Sequence, residues 1–213
     1  MNVLLGKKLG MTRVYDAAGR QVPVTVLAVG PCVVLQRRTR ETDGYDAAQL
    51  GFGARKAART NQPAAGHAKK AGVAAPQWVR EVPLAADEAV KAGDVLTAAM
   101  FEGVEFVDVI GVTKGRGFQG VMKRHNMSGQ PMAHGHTMHR RPGSIGMREH
   151  PGRILKNKRL PGHMGDTRVT TQNLRLVQVR TNDHVLLVRG SVPGAAGGYV
   201  MVRKALKKAE KAS

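Results

Sequence analysis

Residues 11–38 read MTRVYDAAGRQVPVTVLAVGPCVVLQRR, and this stretch decides the expected fold. Residues 11–15, 21–29 and 33–38 are three runs rich in β-branched side chains. The turn-like sequence DAAGR separates the first two runs, and a Gly-Pro pair lies between the second and the third. Short β-rich runs bounded by turn residues are typical of consecutive strands. We therefore predict that the chain begins with a meander of short strands.

The same pattern recurs along the rest of the chain. One short helix is expected near residues 64–71, and other helical signals are few. Further strands are predicted at residues 45–52, 78–82, 105–113, 174–180, 184–189 and 199–203. Closely spaced strands leave exposed edges unless the sheet closes on itself. The predicted fold is mainly β, with a closed or nearly closed β-barrel body and little helix.

Positive charge dominates the composition. The 213 residues include 34 Lys and Arg but 15 Asp and Glu, so the formal net charge is +19. Such an excess indicates a polyanionic partner, either nucleic acid or an anionic membrane surface. The sequence has no apolar run approaching ~20 residues, and its basic residues lie in Gly/Pro-rich stretches. We therefore expect nucleic acid and no membrane.

Much of the charge lies between residues 111 and 170. This stretch has twelve basic and two acidic residues, a net charge of +10, and the other 153 residues contribute +9. Gly and Pro recur every few positions between residues 123 and 165, where apolar residues follow no helical or strand period. A long stretch of this kind is uncommon in a compact domain unless it binds something. We predict a long, irregular basic extension that leaves the barrel.

Three regions follow from this interpretation. Residues 1–110 are predicted to form the first part of the barrel body, with a basic connector near residues 54–75. Residues 111–166 form the Gly/Arg/His-rich extension, and residues 167–213 contain the returning strands and a basic C-terminal tail. The extension therefore interrupts one barrel and does not link independent domains.

The extension offers its partner cations, imidazoles and backbone groups. No aromatic residue occurs between Phe118 and Tyr199, so the stacking platforms of single-strand binders are missing from the sequence. Contacts to phosphates, 2′-hydroxyls and the shape of a folded RNA are expected instead. The candidate RNA-binding residues are Lys114, Arg116, Lys123, Arg124, His125, His134, His136, His139, Arg140, Arg141, Arg148, Arg153, Lys156, Lys158, Arg159, His163 and Arg168.

Three enzyme-like patterns in the extension are weak. Gly115–Gly120 matches G-x-G-x-x-G, but the sequence after it is too short for a crossover helix. His134, His136 and His139 have metal-like spacing, yet arginines flank them and no carboxylate or cysteine completes a ligand set. Ser144 lacks the glycine that a nucleophile elbow needs two residues before it. We expect no enzyme, no metal, no cofactor and no small-molecule substrate.

Cysteine usage and the N-terminus bear on the compartment. Cys32 is the single cysteine, which excludes an internal disulfide and suits a reducing compartment. The first residues have a short apolar stretch and no small-residue cleavage site, so we expect no signal peptide. A cytoplasmic location is predicted.

Six motifs in fixed order carry a resemblance to one family. They are LLGKKLGMTRVYD at residues 4–16, PVTVLAVGPCVVLQRRT at 23–39, TDGYDAAQLGF at 42–52, GVTKGRGFQGVMKRHN at 111–126, HRRPGSIG at 139–146 and LPGHMGDTRVTTQNL at 160–174. Together they cover essentially the whole chain. The chain resembles the bacterial type of the large-subunit ribosomal protein L3 family.

The resemblance implies a translation-protein type of barrel that binds the 3′ domain of the large-subunit rRNA on the cytoplasmic ribosome. It also implies an early role in subunit assembly, contacts with neighbours including proteins L14 and L19, and an extension that runs toward the peptidyl transferase centre. The innermost loop would contain Pro142, Gly143, Ser144, Ile145, Gly146 and Met147. Relatives commonly have a glutamine, methylated in some, where this chain has Met147.

Two other function classes stay open on sequence grounds. A nucleoid or other nucleic-acid-binding protein would share the charge, and comparable affinity for duplex DNA and structured rRNA would favour it. A metalloenzyme with the histidine cluster at its centre would bind metal in purified form and act without RNA.

Overall fold

The computed structural model describes residues 1–85 and 88–208, which are dominated by strands. The strands are β1 (Val3–Tyr15), β2 (Gln21–Val29), β3 (Cys32–Arg38), β4 (Ala47–Ala54), β5 (Pro76–Pro83), β6 (Val95–Leu96), β7 (Phe106–Val112), β8 (Phe118–Gln119), β9 (Gly162–His163), β10 (Arg168–Arg180), β11 (Val185–Arg189) and β12 (Tyr199–Lys204). Chain contacts define two compact units, one with residues 1–112 and those from 168 onward, the other with residues 113–167.

Within the described residues, six strands close a barrel in the order β1-β12-β7-β10-β11-β2. All the pairings around it are antiparallel. β1 lies beside β12, with the register running from Val3 opposite Arg203 to Lys7 opposite Tyr199. The first and last strands of the chain therefore complete the barrel. Closure pairs the strand edges that an open sheet would expose.

The hydrophobic core explains why these runs fold as strands. Leu4, Leu27, Val109, Leu186 and Val202 each have 0% exposure and come from five different barrel strands. Burying such a side chain contributes about 1.5–3 kcal/mol. Runs of β-branched and leucine side chains suit buried strands, and such runs, bounded by turn residues, are the pattern that predicted these strands. The predicted closed barrel is confirmed.

A second sheet corrects the expected meander. β3 pairs with β4 and β6 in a sheet of order β5-β4-β3-β6, so it does not continue the barrel from β2. The change of direction occurs at Gly30, whose φ is +78° and whose N–H donates to the Leu5 carbonyl at 3.1 Å. A glycine adopts this backbone conformation without steric cost. The Gly-Pro signal was correct as a turn, but the third run belongs to another sheet.

Helices are short, as predicted. Those described are α1 (Arg40–Asp43), α2 (Gln62–Lys70) and α3 (Val121–His125). α2 has a proline in its first turn, where the missing N–H costs nothing. It overlaps the helix expected near residues 64–71. Of the described helices, none is long and apolar enough to cross a membrane.

Strand limits are less predictable than strand positions. β1 begins at Val3, eight residues before the expected run, and β10 begins at Arg168, six before Leu174. The added part of β1 contains Gly6 and two lysines, which have low strand propensity, and pairing with β12 overrides that preference. The end of the predicted basic tail, residues 209–213, lies outside the described residues.

Asp108 on β7 is a buried carboxylate that joins three barrel strands. Its side chain is 1% exposed. One oxygen accepts the backbone N–H of Asn173 at 2.9 Å, at the irregularity in β10, and the other accepts from Nε of Arg203 on β12 at 3.1 Å. A buried charge requires such partners because it has lost its hydration. Asp108 therefore fixes β10 and β12 against β7.

Cys32 is buried in the core, and burial raises the pKa of its thiol from 9.0 to about 11. We expect native protein at pH 8 to react with iodoacetamide at least ~100-fold more slowly than unfolded protein, because the thiolate is the nucleophile. Since the folded pKa is the higher one, stability from this group is complete below pH 9 and is lost as pH rises toward 11. Mass spectrometry of alkylation with and without denaturant measures the rates; equal rates would contradict the burial.

Candidate nucleic-acid interface

The unit formed by residues 113–167 begins and ends in a narrow neck. The Thr113 N–H donates to the Thr167 carbonyl at 2.9 Å, and the Arg116 N–H donates to the Met164 carbonyl at 2.9 Å. β8 then pairs with β9, so Phe118 lies opposite His163. These bonds hold the outgoing and returning chains side by side.

Gly165 allows the two chains of the neck to approach closely. Its φ is +80°, and a Cβ built on it would clash with the Lys114 carbonyl oxygen and lie 3.0 Å from the Gly115 Cα. Both neighbouring groups are backbone, which cannot rotate away as a side chain can. The position therefore requires glycine for its conformation and for its lack of a side chain.

α3 stabilises the unit beyond the neck. Its Val121 side chain is 2% exposed, and Asn126 ends the helix in the left-handed region with φ 56°. Nη1 of Arg124 donates to the Leu160 carbonyl at 2.6 Å, and Nε2 of His125 lies 3.0 Å from the same oxygen. Two of the predicted RNA ligands therefore have a partner inside the protein, where they fix the returning chain.

Two residues of the histidine cluster also have polar contacts within their own loops. Nδ1 of His136 accepts the Met138 N–H at 3.2 Å, and Nδ1 of His139 lies 3.0 Å from the Pro131 carbonyl. His134 is exposed and has a φ of 58°. Among the residues that the structure describes, no three His, Cys, Asp or Glu side chains are grouped as a metal site would require.

The predicted ligands occupy four parts of the structure. The neck contains Lys114, Arg116 and His163; α3 contains Lys123, Arg124 and His125; the loops beyond it contain His134, His136, His139, Arg140, Arg141, Arg148, Arg153, Lys156, Lys158 and Arg159; Arg168 begins β10 in the barrel unit. Apart from Arg124, the lysines and arginines of this set are exposed. Across the described residues, none of these cations lies within 4.0 Å of a carboxylate.

This arrangement concentrates unneutralised charge on one unit. Exposed cations without acidic partners repel one another, and a folded polyanion would relieve that repulsion. The ion pairs found in the described chain all lie in the barrel unit, for example Asp108 with Arg203. The unit formed by residues 113–167 is chemically suited to bind phosphate groups.

The predicted innermost loop is exposed and irregular. Gly143 has a φ of +75°, and the Ser144 hydroxyl donates to the Gly146 carbonyl at 3.1 Å, which closes a small turn. Met147 follows this turn with 72% of its side chain exposed. The serine hydroxyl is engaged within its own loop and has no histidine partner among the described contacts, unlike a nucleophile.

Sequence reasoning missed a set of exposed apolar side chains in the same unit. Phe118, Met132 and Leu155 are 76%, 65% and 59% exposed. The available signal was their scatter through a basic stretch without any period, which was interpreted only as a lack of secondary structure.

Comparison with known proteins identifies the family to which this chain belongs. The family model for "Ribosomal protein L3" matches residues 54–185, which include the whole of the unit from 113 to 167. The chain belongs to the ribosomal protein L3 family. The resemblance expected from the six motifs is confirmed.

Similarity to individual L3-family proteins extends over almost the full chain. "Large ribosomal subunit protein uL3" of Corynebacterium jeikeium is 51% identical over 205 residues, 96% of this chain and 94% of that protein. The protein of the same name from Herpetosiphon aurantiacus is 48% identical over 99% of this chain and 100% of its own length. That of Pelotomaculum thermopropionicum is 49% identical over 96% of this chain and 97% of its own.

Proposed function

We propose that this L3-family chain is a structural constituent of the large ribosomal subunit in the cytoplasm and binds large-subunit rRNA. The observation that carries the proposal is the unit of residues 113–167, whose exposed lysines and arginines have no carboxylate partner among the described residues. Phosphate groups would neutralise these cations. Family membership supports rRNA over other polyanions.

We propose the following division of work between the two units. The barrel body, formed by residues 1–110 and 167–213, binds the 3′ domain of the rRNA and neighbouring proteins such as L14 and L19. The extension, residues 111–166, passes between RNA segments and helps them assemble early. The protein acts by positioning RNA and takes no chemical part in peptide transfer.

The loop from Pro142 to Met147 is proposed to support RNA near the peptidyl transferase centre. Its glycine at 143 has positive φ, and its turn is closed by the Ser144 hydroxyl, so the loop can present backbone groups closely to RNA. Met147 cannot accept the glutamine methylation found in some relatives. Its exposed thioether offers an apolar contact instead.

Binding to a fragment of the 3′ rRNA domain should depend steeply on salt. Replacing Arg148, Arg153 and Lys156 with alanine is expected to reduce the slope of log affinity against log salt by about 2 to 3. Each phosphate contact that is lost means that fewer counterions are released when the protein binds. All three side chains are exposed. Filter binding over a salt series measures the slope.

A charge-matched variant makes this test specific. Arg37, Lys91 and Arg189 are exposed cations of the barrel unit, and their replacement removes the same net charge. A smaller change in slope is expected for them. Equal slopes for the two variants would mean that the extension is not the main phosphate-binding surface, and equal affinity for duplex DNA would favour a general nucleic-acid binder.

Gly143→Val should disturb the innermost loop and leave the barrel intact. A side chain at this positive φ costs about 1–3 kcal/mol of local strain, and its Cβ would lie 3.4 Å from Nε2 of Gln130. We expect large-subunit precursors to accumulate and sensitivity to peptidyl transferase antibiotics to change. Sucrose gradients and growth assays measure both.

Gly19→Val is the control for this variant. Gly19 has a φ of +71° in the turn between β1 and β2, with open space around its Cβ position. The Gly19→Val substitution introduces the same type of backbone strain at a site outside the extension. Met147→Gln should have little effect on either subunit assembly or antibiotic sensitivity. Normal assembly and normal drug sensitivity in Gly143→Val ribosomes would contradict the proposed placement of the loop near the peptidyl transferase centre.

A further inference from the structure

A cavity of about 380 Å³ lies inside the extension, between the end of α3 and the loops that follow. It is lined by His125, the loop 126–130, Arg141, Pro142 and Arg159, with Val121 as an apolar floor. Of the described residues that line it, none is acidic and none is Phe, Tyr or Trp. Two guanidinium groups without a carboxylate between them make it a site for an anionic ligand.

The walls of this cavity are fixed by contacts of their neighbours. The Gln130 N–H donates to the His139 carbonyl at 3.0 Å, two residues before Arg141. A Cβ on Gly129 would lie 2.8 Å from the same carbonyl, so these two segments approach as closely as a glycine permits. Arg159 precedes Leu160, whose carbonyl receives the side chains of Arg124 and His125. The cavity is therefore formed before a ligand arrives, which lowers the entropic cost of binding.

Five polar side chains that line the cavity are free to bind a ligand. Within the described part of the chain, the side chains of Asn126, Ser128, Gln130, Arg141 and Arg159 are in no hydrogen bond or ion pair with protein. They comprise two amides, a hydroxyl and two guanidinium groups. Amides and hydroxyls both donate and accept, as the edge of a base and a ribose hydroxyl do.

We propose that this cavity binds a single unpaired nucleotide of RNA. The inference rests on the proposed rRNA binding and names the element bound. Arg141 and Arg159 would hold its phosphate, and Asn126, Ser128 and Gln130 would contact its base edge or ribose. The volume is at the small end of the range for ligand cavities, about 300–1,000 Å³, which suits one nucleotide and excludes a helical segment. Because the lining contains no Phe, Tyr or Trp, recognition is expected to depend on hydrogen bonds more than on stacking.

The test uses Gln130→Ala in the full chain with the 3′ rRNA fragment. This change removes hydrogen bonds but no charge and retains the backbone bond to His139. Affinity is expected to fall about 5- to 30-fold with an unchanged salt slope. Chemical probing of base edges should show one nucleotide that is protected by the unsubstituted protein and reactive with the variant.

Two comparisons decide the outcome. Gln77→Ala removes an exposed amide from β5 and should change neither affinity nor probing. Arg141→Ala and Arg159→Ala should each reduce the salt slope by about 1. Binding by the unsubstituted chain with no single-nucleotide change in Gln130→Ala would overturn the nucleotide site alone. Failure of the unsubstituted chain to bind the fragment would instead overturn the proposed function and this inference with it.

Discussion

Asp108→Ala is expected to lower the free energy of unfolding of the barrel by about 2–4 kcal/mol. The substitution leaves the Asn173 N–H without its acceptor and the Arg203 guanidinium, which is only 24% exposed, without its carboxylate. Both groups lie where β10 and β12 meet β7. Urea or guanidinium denaturation, followed by circular dichroism, measures the change.

Two variants test whether the effect comes from these contacts. Asp108→Asn keeps an acceptor of the same shape and should lose less stability than alanine. Asp183→Ala removes an exposed carboxylate from the turn between β10 and β11 and should change stability by less than about 0.5 kcal/mol. A barrel that unfolds at the same denaturant concentration with Asp108→Ala would show that the contacts of Asp108 contribute nothing net to stability.

Gly165→Val should open the neck of the extension and abolish most of its contribution to RNA binding. Its side chain would overlap the backbone of residues 114 and 115, so the hydrogen bonds of Arg116 and Met164 across the neck cannot persist. We estimate a local cost of about 3 kcal/mol from two lost hydrogen bonds and a strained φ. The expected result is faster proteolysis between residues 113 and 167 and at least a tenfold loss of affinity for the rRNA fragment.

Gly135→Val separates the clash from the strain. Gly135 has a similar φ of +71°, but no atom lies within 4 Å of its Cβ position. It should cost only the strain, about 1 kcal/mol, and leave the neck resistant to protease. If both variants lose affinity equally, close packing at the neck has no role in presenting the extension.

The sequence predicted the barrel well because strand signals are local. β2, β7 and β11 are runs of Val, Leu and Ile that end at turn residues, and they lie where they were expected. The partner of a strand is not local information. β3 begins with an apolar run like that of β2, and nothing in its residues shows that it pairs with β4 in a separate sheet.

The candidate site was predictable in composition but not in geometry. The excess of cations in residues 111–170 is visible in the sequence, and so are the motifs that identify the family. The roles of Arg124 and His125 are not, because their shared acceptor is a backbone carbonyl 35 or more residues away. The sequence likewise could not distinguish Gly165 from Gly135, since only packing shows which one lies against backbone.

Pairing of the first strand with the last has a consequence for synthesis of the chain. Val3 on β1 cannot pair with Arg203 on β12 until that residue has been synthesised, 200 residues later. The basic extension is therefore translated in full while the barrel is still open. Contacts this distant in sequence form slowly, and strand edges and core side chains stay accessible until they do. The nascent protein would then combine an incomplete core with an unshielded polycation, a state in which a chaperone or prompt delivery to nascent rRNA would protect it from aggregation.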